Sequence, residues 1–139
     1  MAECNIDDMN PEFYSFVSQK LFDSGALDVF KVPIIMKKER PAVLLSVLYK
    51  KEDEKNIERI LFTETTTLGI RKQVVERSKL YREFRKVKTN LGEINVKVAF
   101  YEGKEIKYKA EYEDCKKIAI EKDMPISSVY KIVMQHMEK

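Results

Sequence analysis

The spacing of hydrophobic positions changes several times along the chain, and each change marks an element. Residues 3–9 read as a short strand that ends where Asn10 can cap a helix and Pro11 can occupy its first turn. Phe13, Phe16, Val17 and Leu21 then fall on one helical stripe, and Gly25 supplies a left-handed stop. Residues 27–35 are β-branched and aromatic, MKKERP turns the chain, and the nearly continuous apolar run 42–49 predicts a central strand. Pro33 has no N–H to give a ladder, so the first of these two strands belongs at an edge or carries a bulge. Ile57, Ile60 and Leu61 predict a helix over 52–64, and TTTLG breaks it before a strand over 70–77.

The order β-α-β-β-α-β predicts an α+β fold with a ferredoxin-like unit, two helices covering one face of an antiparallel sheet. Strands one and two then run one way and strands three and four the other. Three connections meet at one end of the sheet: the turn Asp7, Asp8, Met9, Asn10, the hairpin tip Lys37, Lys38, Glu39, Arg40, Pro41, and the loop Glu64, Thr65, Thr66, Thr67, Leu68, Gly69. Arg71 enters the last strand beside them. Downstream, strands over 81–89 and 93–101 form a hairpin through Asn90, Leu91 and Gly92, with Ile94, Val96, Val98 and Phe100 alternating cleanly. A third strand over 105–109 precedes a helix over 111–122 and a last helix starting near Ile126. No linker-like stretch or internal repeat divides the chain. It reads as a single domain over 1–139, with a ferredoxin-like core over about 3–79 and a β plus α-helical extension over about 80–139.

Composition narrows the function classes. The 139 residues are 44% hydrophobic and 35% charged, a globular balance in a chain long enough to fold without disulfides. No apolar run approaches the roughly 20 residues a bilayer demands, and no signal-peptide pattern opens the chain, so a cytoplasmic protein is expected. Two cysteines, Cys4 and Cys115, and the single His136 offer neither a disulfide framework nor a Cys/His zinc site within one chain. A bound metal is then expected to be a hard ion held by carboxylates and phosphates. The net charge of +3 conceals an asymmetry: residues 1–30 carry −5 and residues 71–109 carry +7. That basic stretch suits an anionic ligand or nucleic acid, or it is a solvated face whose lysines guard strand edges.

The converging end mixes adjacent carboxylates, clustered cations, hydroxyls and a helix N-terminus, as a nucleoside triphosphate and its divalent ion require. Each part also has a plain reading. Asp7 and Asp8 can be caps or surface acids, and they share an ion only if the strand has ended before them. Lys37, Lys38 and Arg40 can merely solvate a tip. Thr65, Thr66 and Thr67 can terminate a helix or lead into an anion-binding backbone nest. Further on, Ala119, Asp123, Met124 and Val129 imitate a helix-turn-helix spacing, but the final helix offers only Ser127, Ser128, Lys131 and Gln135 to bases. A non-enzymatic nucleic-acid-binding or assembly module is therefore the alternative, not the leading reading. Tyr130, Val133 and Met137 read as a core stripe, His136 as peripheral, and both cysteines as small buried hydrophobes.

NIDDMNPE (5–12), GALDVF (25–30), PIIMKKERP (33–41), FTETTTLGIR (62–71) and EYEDCKKIA (111–119) together resemble the C-terminal domain of the LarC family. These are nickel insertion proteins of the nickel-pincer cofactor pathway that serves lactate racemase. The resemblance implies a CTP-dependent cyclometallase, a lyase that inserts Ni2+ into a pyridinium bis-thiocarboxylate mononucleotide with carbon–nickel and sulfur–nickel bonds. CTP, bound with Mg2+ or Mn2+, would go to CMP and pyrophosphate. On this resemblance Asp7, Asp8 and Glu64 hold or support the divalent ion, Lys37, Lys38, Arg40 and Arg71 clamp phosphates, and Thr65, Thr66 and Thr67 add donors. No side chain is an evident nucleophile, and Glu111, Tyr112, Asp114 and Cys115 match a family motif whose role is open among base recognition, capping and packing. Expected partners are the family's N-terminal domain and further copies of the chain. That N-terminal domain is absent from this sequence, so full nickel insertion is not expected of it alone, and Met1 and Ala2 are expected to mark a boundary. Cys4 stands where family members often carry Thr, which argues against its being a nickel ligand.

Overall fold

Buried side chains in the computed structural model, which describes residues 1–137, gather into two separate cores. One belongs to the unit Met1–Glu76 and the other to the unit that begins at Arg77, a division close to that expected between ferredoxin-like core and extension. The extension thus has a hydrophobic centre of its own. Among the described residues no helix is long and apolar enough to cross a membrane.

In the first unit the elements are β1 (Ala2–Ile6), α1 (Phe13–Asp23), β2 (Ala26–Met36), β3 (Arg40–Tyr49), α2 (Glu54–Glu64) and β4 (Arg71–Lys72). The sheet order β2-β3-β1-β4 is antiparallel throughout, as the β-α-β-β-α-β reading requires. Ala2, Cys4 and Ile6 alternate inward from β1 and meet Leu45 and Val47 of β3, Val17 and Leu21 of α1, and Ile57, Ile60 and Leu61 of α2. Pro33 lies on the edge strand β2, opposite Val43, where its missing N–H costs the ladder least. Helix α1 differs from expectation in its apolar stripe: Tyr14, Val17 and Leu21 pack on the core, whereas Phe13 and Phe16 are 52% and 58% exposed. Spacings of three and four residues from Tyr14 define the inward face, and the two phenylalanines fall on its flank.

Two boundaries moved for identifiable reasons. Strand β1 stops at Ile6 rather than residue 9, so Asp7 and Asp8 already lie in a bend. Strand β4 is two residues long rather than spanning 70–77, because its one neighbour, β1, offers partners only back to Ala2. Beyond a further Gln73 N–H to Met1 carbonyl bond of 3.0 Å the chain leaves the sheet, and Val74 is fully exposed. What secures so short a strand is Lys72, whose ammonium bridges Glu54 at 3.0 Å and Glu58 of α2.

In the second unit, β5 (Tyr81–Thr89), β6 (Gly92–Tyr101) and β7 (Lys104–Ala110) form an antiparallel sheet with β6 in the middle. Ile94, Val96 and Val98 face α3 (Tyr112–Glu121) and α4 (Ile126–Met137), where Cys115, Ile118, Val129 and Val133 complete the core. Asp114 accepts from both the backbone N–H and the side-chain amide of Asn95, each at 2.8 Å, fixing the first turn of α3 to β6. Together with buried Cys115 this gives Asp114 and Cys115 structural employment. Between the helices Asp123 adopts φ +47°, the left-handed position where helix-turn-helix turns favour Gly.

Gly25 ends α1 at φ +99°, and a Cβ there would stand 2.7 Å from the Asp53 carboxyl carbon. Gly25→Ala is expected to lower stability by about 1–3 kcal/mol, read as a reduced melting temperature by circular dichroism. Glu54 is held below the usual carboxylate range by hydrogen bonds from Lys51 and Lys72. Its contribution is present at neutral pH and lost as acidification protonates the folded carboxylate, so Glu54→Gln should lower the urea midpoint at pH 7 and make little difference near pH 3.

Candidate functional site

At the end of the first sheet where β1 finishes, the three remote connections are joined by side chains. Asp7, its carboxylate largely covered, accepts from the Arg40 guanidinium of the hairpin tip at 3.0 Å. Asp8 accepts from the Thr66 hydroxyl of the loop between α2 and β4. Two neighbouring carboxylates thus reach to different segments, which they can do because the strand's alternation has ended before them.

The tip itself is strained. Lys38 and Glu39 take φ of +62° and +56°, left-handed conformations that cost residues with a Cβ on the order of 1 kcal/mol each. The result presents Lys37 and Lys38 at an exposed turn, and neither has an acidic partner within ion-pair distance among the described residues. Positive charge is therefore available there beside the Asp7 and Arg40 pair.

The threonine run divides its labour. Thr65 donates its hydroxyl to the Leu61 carbonyl at 2.6 Å and accepts the Thr67 N–H at 3.2 Å, finishing α2. Thr67 is nearly buried, and its hydroxyl donates to the Gly69 carbonyl at 2.9 Å. Only Thr66 turns toward the aspartates. An anion nest is not formed, since no residue from 65 to 69 takes a positive φ.

Glu64 and Arg71 stand apart from this contact. Glu64 is paired with Lys20 of α1 at 2.6 Å, and among the described residues no three His, Cys, Asp or Glu side chains form a metal-holding group. Arg71 lies opposite Glu3 on the sheet and donates to Asn5 Oδ1 at 2.6 Å. Lys20 and Asn5 were not singled out in the sequence. The alternation of β1 was the available signal for Asn5, because it sets Glu3 and Asn5 on the face away from the helices. On that face the Ser46 hydroxyl donates to Glu3 at 3.2 Å.

The donor chemistry suits a magnesium-type ion carried by a nucleotide, which typically needs one or two protein carboxylates and takes other ligands from phosphates and water. Asp7 and Asp8 meet that need. The donors do not suit a nickel ion held by this unit alone: burial pushes the Cys4 thiol up, against the opposing effects of Thr67 and Arg71, so it stays protonated. Burial likewise raises the Cys115 thiol, and His136 sits exposed on α4 with Nδ1 at 2.8 Å from the Ile132 carbonyl.

Glycine suits the left-handed tip better than glutamate does. Glu39→Gly is expected to raise stability by roughly 0.5–1 kcal/mol in urea denaturation, as relief of strain outweighs the added freedom of the unfolded chain.

Comparison with known proteins gives a consistent picture. The family described as Nickel insertion protein matches residues 1–130. The chain is 56% identical over 133 residues to the pyridinium-3,5-bisthiocarboxylic acid mononucleotide nickel insertion protein of Clostridium kluyveri, covering 96% of this chain and 33% of that protein. The same-named protein of Thermotoga petrophila is 42% identical over 139 residues, covering all of this chain and 35% of the relative. The chain therefore spans about a third of the length of the curated relatives it matches. Among solved structures it is similar to apo LarC2, the C-terminal domain of a cyclometallase involved in synthesis of the NPN cofactor of lactate racemase. That match has a TM-score of 0.94 at 38% identity, covering 99% of this chain and 95% of the other. A protein of Methanopyrus kandleri matches with a TM-score of 0.70 at 25% identity, covering 95% of this chain and 81% of the other.

Proposed function

The chain belongs to the nickel insertion protein family, and from that premise we propose that it is the CTP-binding part of a nickel-inserting cyclometallase. The rim formed by Asp7, Asp8, the 37–41 tip and the 64–69 loop is the proposed site. One observation carries the reading: two adjacent aspartates reach separately to Arg40 and to Thr66, so that carboxylates, cations and a hydroxyl from distant segments share one place.

In this reading Lys37, Lys38 and Arg40 take triphosphate oxygens, with Arg71 contributing charge from the neighbouring sheet face. Asp7 and Asp8 hold Mg2+ or Mn2+, which when bound offsets phosphate charge. Arg40 then exchanges Asp7 for a phosphate, and Thr66 is free to donate to an oxygen of the nucleotide. Pyrophosphate departure from CTP, leaving CMP, calls for positive charge fixed where negative charge develops, which the tip lysines provide. Thr65 and Thr67 shape the loop, and Glu64 holds α2 against α1 through Lys20. Nickel is cargo, inserted into the pyridinium bis-thiocarboxylate mononucleotide by the complete protein, whose remaining length and further copies of this chain are the proposed partners.

Binding is read by thermal shift. At a ligand concentration a hundredfold above Kd, stabilisation of about 2.7 kcal/mol should raise the melting temperature by several degrees. Mn2+ with CTP is expected to give that shift, Mn2+ with ATP a smaller one, and the double variant Lys37→Ala, Lys38→Ala none, with its unliganded melting temperature unchanged. Equal shifts for both nucleotides, or no shift for either, count against the assignment.

A further inference from the structure

We propose that the second unit carries a separate anion site, a cleft that takes a mononucleotide: one phosphate monoester joined through a sugar to a flat ring bearing acidic groups. The cleft has a volume of about 550 Å³ and is lined by Arg77, Lys79, Arg82, Lys97, Lys107 and Lys109, with no aspartate or glutamate in its wall. Its hollow has a clear origin in the register. Ala99 of β6 stands between Arg82 of β5 and Lys107 of β7, and Lys97, the next residue on that face, stands between Phe84 and Lys109. A methyl group surrounded by long cationic side chains leaves a floor with charged walls.

Lys97 pairs with Glu111 at 2.9 Å. The other five cations have no acidic partner within ion-pair distance among the described residues. Like charges crowded around one cavity repel, and a bound polyanion relieves that repulsion while gaining charge-assisted hydrogen bonds. Tyr81, Leu80 and Tyr108 add aromatic and apolar wall for a ring. The volume matches a small-molecule pocket, whereas a nucleic acid needs an extended row of phosphate contacts. No residue is shared with the rim of the first unit; only the choice of a pyridinium ring in the probe rests on the function proposed above.

The probe is nicotinic acid mononucleotide, a pyridinium carboxylate mononucleotide, titrated calorimetrically into the whole chain. The wild type is expected to bind it equally well with and without saturating Mn2+ and CTP, and Lys37→Ala with Lys38→Ala should leave that affinity unchanged. Arg82→Ala with Lys107→Ala should weaken binding at least tenfold. Ala99→Phe, which keeps every charge but fills the floor, should do the same. Absence of binding to the wild type, full affinity in Ala99→Phe, or competition by CTP overturns the proposal. So does tight, steeply salt-dependent binding of a DNA duplex that survives Ala99→Phe, which would assign the charge to an open nucleic-acid surface. The Mn2+ and CTP thermal shift responds to the rim alone, so either idea can fail without the other.

Discussion

The architecture of the first unit depends on a constraint of chain direction: each helix returns the chain to the end of the sheet from which the previous strand set out. With β1 and β2 running one way and β3 and β4 the other, the order β2-β3-β1-β4 makes every pairing antiparallel. It also obliges the end of β1, the β2–β3 tip and the α2–β4 loop to share one rim. The ion pair there is a consequence of that arrangement. A partly exposed pair such as Arg40 and Asp7 contributes up to about 1 kcal/mol, whereas each buried aliphatic side chain such as Leu21 or Ile57 contributes roughly 1.5–3 kcal/mol. The core therefore fixes the rim's position, and the rim's own bonds are weak enough to be exchanged for those of a ligand.

The same alternation divides chemistry between the faces of the sheet. Ala2, Cys4 and Ile6 point into the core, while Glu3 and Asn5 point away and lead toward Asp7. Ser46 and Arg71 join that outer row through Glu3 and Asn5. Arg71 consequently belongs to a polar column that approaches the rim along the sheet, and its guanidinium acts at longer range than the tip lysines. Cys4, one position away from either polar neighbour, is removed from this chemistry by facing inward.

What could be read from the sequence was mostly what depends on period and direction. Pro33 marked an edge strand, Gly25 a left-handed stop, and the run from Ala42 to Tyr49 an interior strand, because each rests on local backbone chemistry. The length of β4 was not legible, since it is set by where β1 ceases to offer partners rather than by the β-branched residues Val74 and Val75 themselves. Equivalent residues in the Thr65 to Thr67 run acquire different tasks only once α2 and Asp8 are in place. Glu64 likewise looked like one acid among several until Lys20, remote in sequence, was brought against it.

The basic stretch shows how a composition signal changes meaning when it is folded. Lysines on β5 and β7 do occupy edge strands, where charge discourages pairing with another chain, and Lys86 and Lys88 are partly compensated by Glu93. Edge protection does not account for Lys97 on the central strand, nor for placing Ala99, the smallest side chain on that face, between Arg82 and Lys107. A solvated face gains nothing from a hollow at its most positive point. Unlike the edge lysines, these groups converge, and converging cations around a floor deep enough for a ring are arranged to meet an anion from several directions at once.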